Sequence, residues 1–119
     1  MENCIFCKIV SGEIPTHFTY ENEFVVAFPD LHPTVKGHTL VIPKEHHQWF
    51  YEVPNELANE WFSAAQMLGL KLKEDTGADY VHLSIVGRDV PHAHIHLMPR
   101  KLGDKLPSQH LQPHQGAGG

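Results

Sequence analysis

Apolar positions recur along this chain in two rhythms, and the points where one gives way to the other outline its elements. Near the start, Ile5, Ile9 and Val10 share a helical face, predicting a short helix over residues 4–11 that "SGEIP" terminates. In "HFTYENEFVVAFPD" two β segments flank the turn-prone "ENE", with Phe24, Val25, Val26, Ala27 and Phe28 as a buried run. The Pro, Gly and Asp of "DLHPTVKG" predict a loop, and "HTLVIP" (38–43) a third strand closed by Pro43. From Pro54 the period lengthens. Leu57, Trp61, Ala64, Ala65, Leu68 and Leu72 fall at steps of three and four, with Pro54 suited to a first helical turn and Gly77 to a C-terminal cap. "YVHLSIVG" (80–87) and "HAHIHLMP" (92–99) predict two further strands joined by "RDVP". Past Arg100 the chain is polar, rich in Pro and Gly and without period, which predicts a flexible tail over residues 103–119. Strand runs interrupted by a single long helix predict an α+β fold with a mainly antiparallel sheet.

The last strand raises the chemical question. Alternate residues of a strand share a face about 6.8 Å apart, so His92, His94 and His96 align on one side and Ala93, Ile95 and Leu97 on the other. The apolar side belongs on a core. A polar face that happens to be histidine would explain one or two such residues; three in register favour a functional reading. The chain holds eleven histidines in 119 residues, an excess that suggests metal or proton chemistry. A formal net charge of −5 argues against holding a nucleic-acid backbone by bulk electrostatics, while leaving room for a compact phosphate ligand. "MENCIFCKIV" carries no signal-peptide pattern, and no apolar run reaches a membrane-spanning length. A cytoplasmic protein with no membrane partner is therefore expected. Thiols stay reduced there, so the C-x-x-C pair of Cys4 and Cys7, the only cysteines, reads as metal binding or redox chemistry. Metal is preferred because no strand precedes the pair, as one does in a thioredoxin-like motif.

The string "VPHAHIHLMPR" resembles the signature of the histidine-triad (HIT) superfamily, three histidines separated by apolar residues. "CIFCKIVSGEIP", "VVAFPDLHPTVKGHTLVIPKEH" and "ELANEWF" resemble the same family in order and spacing, over roughly residues 4–101. The resemblance implies a HIT domain over residues 1–102, with a sheet of about five strands, one long helix and one short one. It also implies an enzyme that attacks the α-phosphate of a nucleotide conjugate. His94 would be the nucleophile, forming a nucleotidyl-histidine intermediate; a neutral imidazole suits this near pH 7. Its other ring nitrogen would donate to a main-chain carbonyl of the triad strand, expected to be that of His96. His96 and His38 would support the reaction by hydrogen bonds to the phosphoryl group or leaving group.

In members that carry the cysteine pair, the resemblance implies a structural zinc held by Cys4, Cys7, His46 and His92, with His47 as rival to His46. Asp30 would bond the ribose, unless it serves only to form its loop, and Phe28 and Leu31 would flank the base. Phe6 and Ile14 are weaker candidates for that wall. One departure stands before the triad. Many members have a longer Gly-rich loop there whose hydroxyl and amides hold phosphate. This chain has only "VGRDVPH": Gly87 permits close backbone approach and Arg88 can pair with phosphate, but Asp89 opposes it. Arg100 is a further cation at the strand's end. The expected substrates are purine nucleoside phosphoramidates or related esters. The alternatives are a dinucleoside polyphosphate hydrolase and a zinc-stabilised nucleotide-binding module with little turnover. A homodimer is expected.

Overall fold

Residues 4–105 are described by a computed structural model in which the chain runs α1 (Ile5–Ser11), β1 (Tyr20–Glu21), β2 (Val25–Pro29), β3 (Thr39–Pro43), a 3-10 turn (Phe50–Glu52), α2 (Asn55–Thr76), β4 (Tyr80–Ile85) and β5 (Ile95–Arg100). The five strands form one antiparallel sheet in the order β1-β2-β3-β5-β4. The α+β fold, the mainly antiparallel sheet and the pair of long and short helices are as the sequence predicts.

The apolar stripe of α2 lies on one face of the sheet. Trp61, Ala64, Ala65 and Leu68 pack there with Val25, Ala27, Val41, Ala93, Ile95 and Leu97. The indole of Trp61 donates to the carbonyl of Val41 at 2.9 Å, so the one polar atom of this large side chain is not left bare in the core. Gly77 ends the helix in the left-handed region at φ 70°, and its N–H bonds the carbonyl of Lys73. The other face is covered by α1, whose Phe6 and Ile9 pack with Val26, Phe28, Leu40 and Ile42. Two-sided cover explains why β2 and β3 read as continuous apolar runs rather than alternating ones.

Three boundaries differ from the sequence prediction. Phe24 stands outside the buried run, at 40 % exposure, because the chain is still turning: its N–H bonds the side-chain oxygen of Asn22. The fourth strand stops at Ile85 rather than Gly87. The last strand covers Ile95–Arg100, so His92 and His94 precede it. The cause lies in β3. Its register with β5 pairs Val41 with Ile95, and two residues further Ala93 would face Pro43, which has no N–H to give. Ala93 instead donates to the carbonyl of His47 at 2.6 Å, and His92 to that of Val90 at 2.7 Å.

Beyond β5, Arg100 makes a double hydrogen bond to the carboxylate of Asp104 and Leu102 N–H donates to Asp79. Arg100 is thereby engaged at the end of β5 away from His94 and is not a phosphate-facing cation. Most of the expected tail, residues 106–119, lies outside the described residues. Among the described residues no helix is long and apolar enough to cross a membrane.

Candidate active site and metal centre

The histidines after β3 and before β5 converge with the N-terminal cysteines. Cys4 caps α1, its Sγ accepting the N–H of Cys7 at 3.3 Å, so both thiols project from the first turn of one helix. His92 Nδ1 lies 3.3 Å from Cys4 Sγ and 3.6 Å from Cys7 Sγ, and His46 Nδ1 lies 3.2 Å from Cys7 Sγ. All four ligand atoms fall within 4.8 Å of one another. A tetrahedral zinc with two sulfur and two nitrogen ligands has edges of roughly 3.3–3.8 Å, so the donor set and its spacing fit that ion. His92, wholly buried, donates its Nε2–H to the carbonyl of Pro43 at 2.8 Å, which leaves the Nδ1 lone pair turned to the cysteines. His47 is directed elsewhere: its Nε2 meets Glu45 Oε1 at 2.7 Å.

These groups are tuned against protons without a metal. Burial holds His92 down to about 4 and also lowers His46. Burial, the hydrogen bond with Cys4 and that neighbour's charge push the Cys7 thiol up to about 11. A cation that binds here must displace the thiol protons, whereas the imidazoles already present bare nitrogens.

His94 turns the other way. Its Nδ1 lies 2.7 Å from the carbonyl of His92; a carbonyl only accepts, so Nδ1 carries the proton and Nε2 keeps the lone pair. The expected acceptor, the carbonyl of His96, is not the one used. His96 pairs with Leu40 on one side and Ser84 on the other, so its backbone belongs to the central ladder, while that of His92 lies before the strand. The His94 ring also packs edge-on against Phe6, centroids 5.0 Å apart, and against His96 at 4.8 Å.

A third set occupies the neighbouring strands. Thr34 N–H donates to His38 Nδ1 at 3.1 Å, so the neutral His38 ring carries its proton on Nε2, which meets His96 Nδ1 at 2.9 Å. His96 therefore accepts at Nδ1 and presents an Nε2–H. Asp30 Oδ2 is 3.4 Å from His38 Nε2, and Asp30 Oδ1 accepts the N–H of His32 at 2.9 Å. Asp30, His38 and His96 are close enough for a cation. The Thr34 bond argues against one, because it leaves the proton on the His38 nitrogen that would have to ligate.

The remaining candidates are dispersed. Phe28 is buried beside Phe6 and Phe18, Ile14 borders the same cluster, and Leu31 is 70 % exposed. Gly87 is buried at φ 87°, and a Cβ there would stand 2.7 Å from the carbonyl of Gln48; its neighbour in close approach is that segment. Arg88 and Asp89 are both exposed and 3.5 Å apart. Sequence reasoning passed over the carbonyl of Pro43, the N–H of Thr34 and the contact of Gly87 with Gln48. Main-chain partners leave no residue-type signal.

The family description "HIT domain" matches residues 11–103. An uncharacterized HIT-like protein of Methanocaldococcus jannaschii is 42 % identical over 107 residues, covering 85 % of this chain and 81 % of that one. The adenosine 5'-monophosphoramidase HNT1 of Saccharomyces cerevisiae is 36 % identical over 82 % of this chain and 63 % of its own length. Among solved structures, a zinc-bound histidine triad family protein of Mycobacterium smegmatis superposes with a TM-score of 0.82 at 34 % identity, over 90 % of this chain and 81 % of that one.

Proposed function

The chain belongs to the HIT family, and from that premise we propose that it is a cytoplasmic nucleotide hydrolase or transferase acting at the α-phosphate of purine nucleotide conjugates such as nucleoside phosphoramidates. The observation that carries the proposal is the hydrogen bond from His94 Nδ1 to the carbonyl of His92, which commits the lone pair to Nε2. That nitrogen attacks phosphorus; the new N–P bond forms as the bond to the leaving group breaks, and water then cleaves the nucleotidyl-histidine. His96, given its proton position by His38, directs Nε2–H at a phosphoryl oxygen or the leaving group. Asp30 takes the ribose, with Phe28 and Leu31 beside the base and Gly87 and Arg88 at the phosphate. The yeast relative's activity is of the same kind.

Zinc is the proposed occupant of Cys4, Cys7, His46 and His92, on the donor chemistry and edge lengths above and on the zinc-bound relative. When bound, the ion supplies a rigid tie between α1 and the residues leading into β5. A homodimer is part of the same reading. β4 is an edge strand with Tyr80 and Leu83 exposed, and Phe62 and Leu70 of α2 are at least half exposed. We assign residues 1–102 to the HIT domain and 103–119 to a tail, with no nucleic-acid or membrane partner.

The test is incubation of wild type and His94→Ala with adenosine 5'-phosphoramidate, reading AMP release and an acid-quenched adenylyl adduct. Turnover and adduct in wild type alone are expected. Equal turnover in both proteins would remove His94 as nucleophile; AMP binding without turnover in either would leave a binding module.

A further inference from the structure

We propose that Phe6 is a positioning residue for His94, its ring setting the plane in which the imidazole presents Nε2. The proposal rests on the reading of His94 as the nucleophile. Phe6 is 6 % exposed and sits on α1 between the two cysteines. Its ring meets three others edge-on: His94 at 5.0 Å and 78°, Phe28 at 5.8 Å and 70°, and His92 at 5.9 Å and 77°. Besides its apolar neighbours in the core, it touches the nucleophile, the residue whose carbonyl holds the nucleophile's proton, and the wall assigned to the base.

The bond from His94 Nδ1 to the His92 carbonyl, and with it the tautomer, holds only while the imidazole keeps its plane, and ring packing helps to keep it there. Among the described residues, Phe6 and His96 pack their rings against it. An edge-to-face aromatic pair favours one relative orientation of its rings, a preference that a branched aliphatic of similar bulk does not supply. Displacement of the attacking nitrogen by a fraction of an ångström is enough to slow an in-line reaction severalfold. Phe6 would then act on the chemical step rather than on substrate affinity, although its ring also lies against Phe28.

Phe6→Leu and Phe6→Met, both metal-loaded, test this. Each is measured for zinc per chain, for kcat and KM with adenosine 5'-phosphoramidate, and for the His94 ring nitrogens by 15N NMR. The expected result is wild-type zinc content, KM within about twofold, kcat lower by about tenfold, and a mixture of His94 tautomers where wild type has Nδ1–H alone. Unchanged kcat in either variant overturns the proposal. So does lower kcat with a wild-type His94 spectrum, or an effect confined to KM, which would make Phe6 only a wall for the base. Failure of both variants to fold would make it framework and overturn it equally. His94→Ala run alongside separates the two readings. If it turns over substrate like wild type, the nucleophile assignment fails, while the tautomers in the Phe6 variants still judge the contact.

Discussion

His92 and His96 are spaced in sequence to share one face of a strand, yet apart from His94 between them their partners differ. His92 is wholly buried and off the sheet, held between two thiols and the carbonyl of Pro43. His96 is half-buried within the central ladder, its proton position set by a third histidine. Between them His94 takes its tautomer from one and packs its ring on the other. Spacing decides which way a side chain points; what the neighbouring segments deliver decides its chemistry. The metal end and the reaction end can thus fail separately.

The largest separation is expected between His94→Ala and Cys7→Ala. His94→Ala should lower kcat/KM by about a thousandfold or more, roughly 4 kcal/mol, with zinc content and melting temperature close to wild type. Cys7→Ala should bind no zinc and melt well below wild type, while its residual folded fraction still forms the adduct. Paired kinetics and calorimetry read both. If the two variants lose activity and stability in step, the division of the triad is wrong.

Removing the metal from wild type comes next. Zinc that binds the folded chain and not the unfolded one stabilises by mass action, and stripping it should cost about 3 kcal/mol, a fall of about 10 °C. Thermal melts across a chelator titration, with zinc restored at the end, measure this. A melting temperature indifferent to chelator would break the assignment of Cys4, Cys7, His46 and His92.

The stripped protein should then become sensitive to acid. Burial depresses His92 from its ordinary 6.5 to about 4, and His46 moves the same way. As pH falls below 6.5 the unfolded chain takes up the proton first. Stability is therefore complete above about 6.5 and drains away toward 4, by up to roughly 3 kcal/mol for His92. Urea unfolding of chelated protein at several values in that window would detect it. A flat profile would mean that the His92 ring is reachable by water.

How far this division was legible in the chain depends on which groups speak through side chains. The helical period from Leu57 to Leu72 marked the face that α2 buries; the C-x-x-C marked a metal pair, and the family likeness added His46 and His92 to a cluster that the fold does assemble. The likeness of "HAHIHLM" to a known family pointed to the reaction. What stayed hidden was set by backbone. The alternation of three histidines suggested one continuous strand, but Pro43 withholds an N–H where Ala93 would pair, and the triad's first two members step off the sheet. The same step makes the carbonyl of His92, rather than that of His96, the partner of His94. Thr34 shows no sign in sequence that its N–H will orient His38. Phe24 misled for the opposite reason, since its apolar side chain promised burial that the turn at Asn22 denies.

The smallest expected effect sharpens the reaction end. Asp30 lies beside His38, and in the proposed reading it serves a ribose; Asp30→Asn distinguishes these. Thr34 already places the proton of His38 on Nε2, so loss of the carboxylate 3.4 Å away should leave His96 oriented and kcat within about threefold. Asparagine keeps a carbonyl oxygen for the N–H of His32, so the loop should hold its turn. Under the proposed reading the change removes a charged acceptor for the ribose hydroxyls, about 1 kcal/mol, and KM should rise severalfold. A kcat that falls while KM stands still would mean instead that the carboxylate works through His38. The relay would then be three residues long, and the nucleoside would have to find its ribose contact elsewhere.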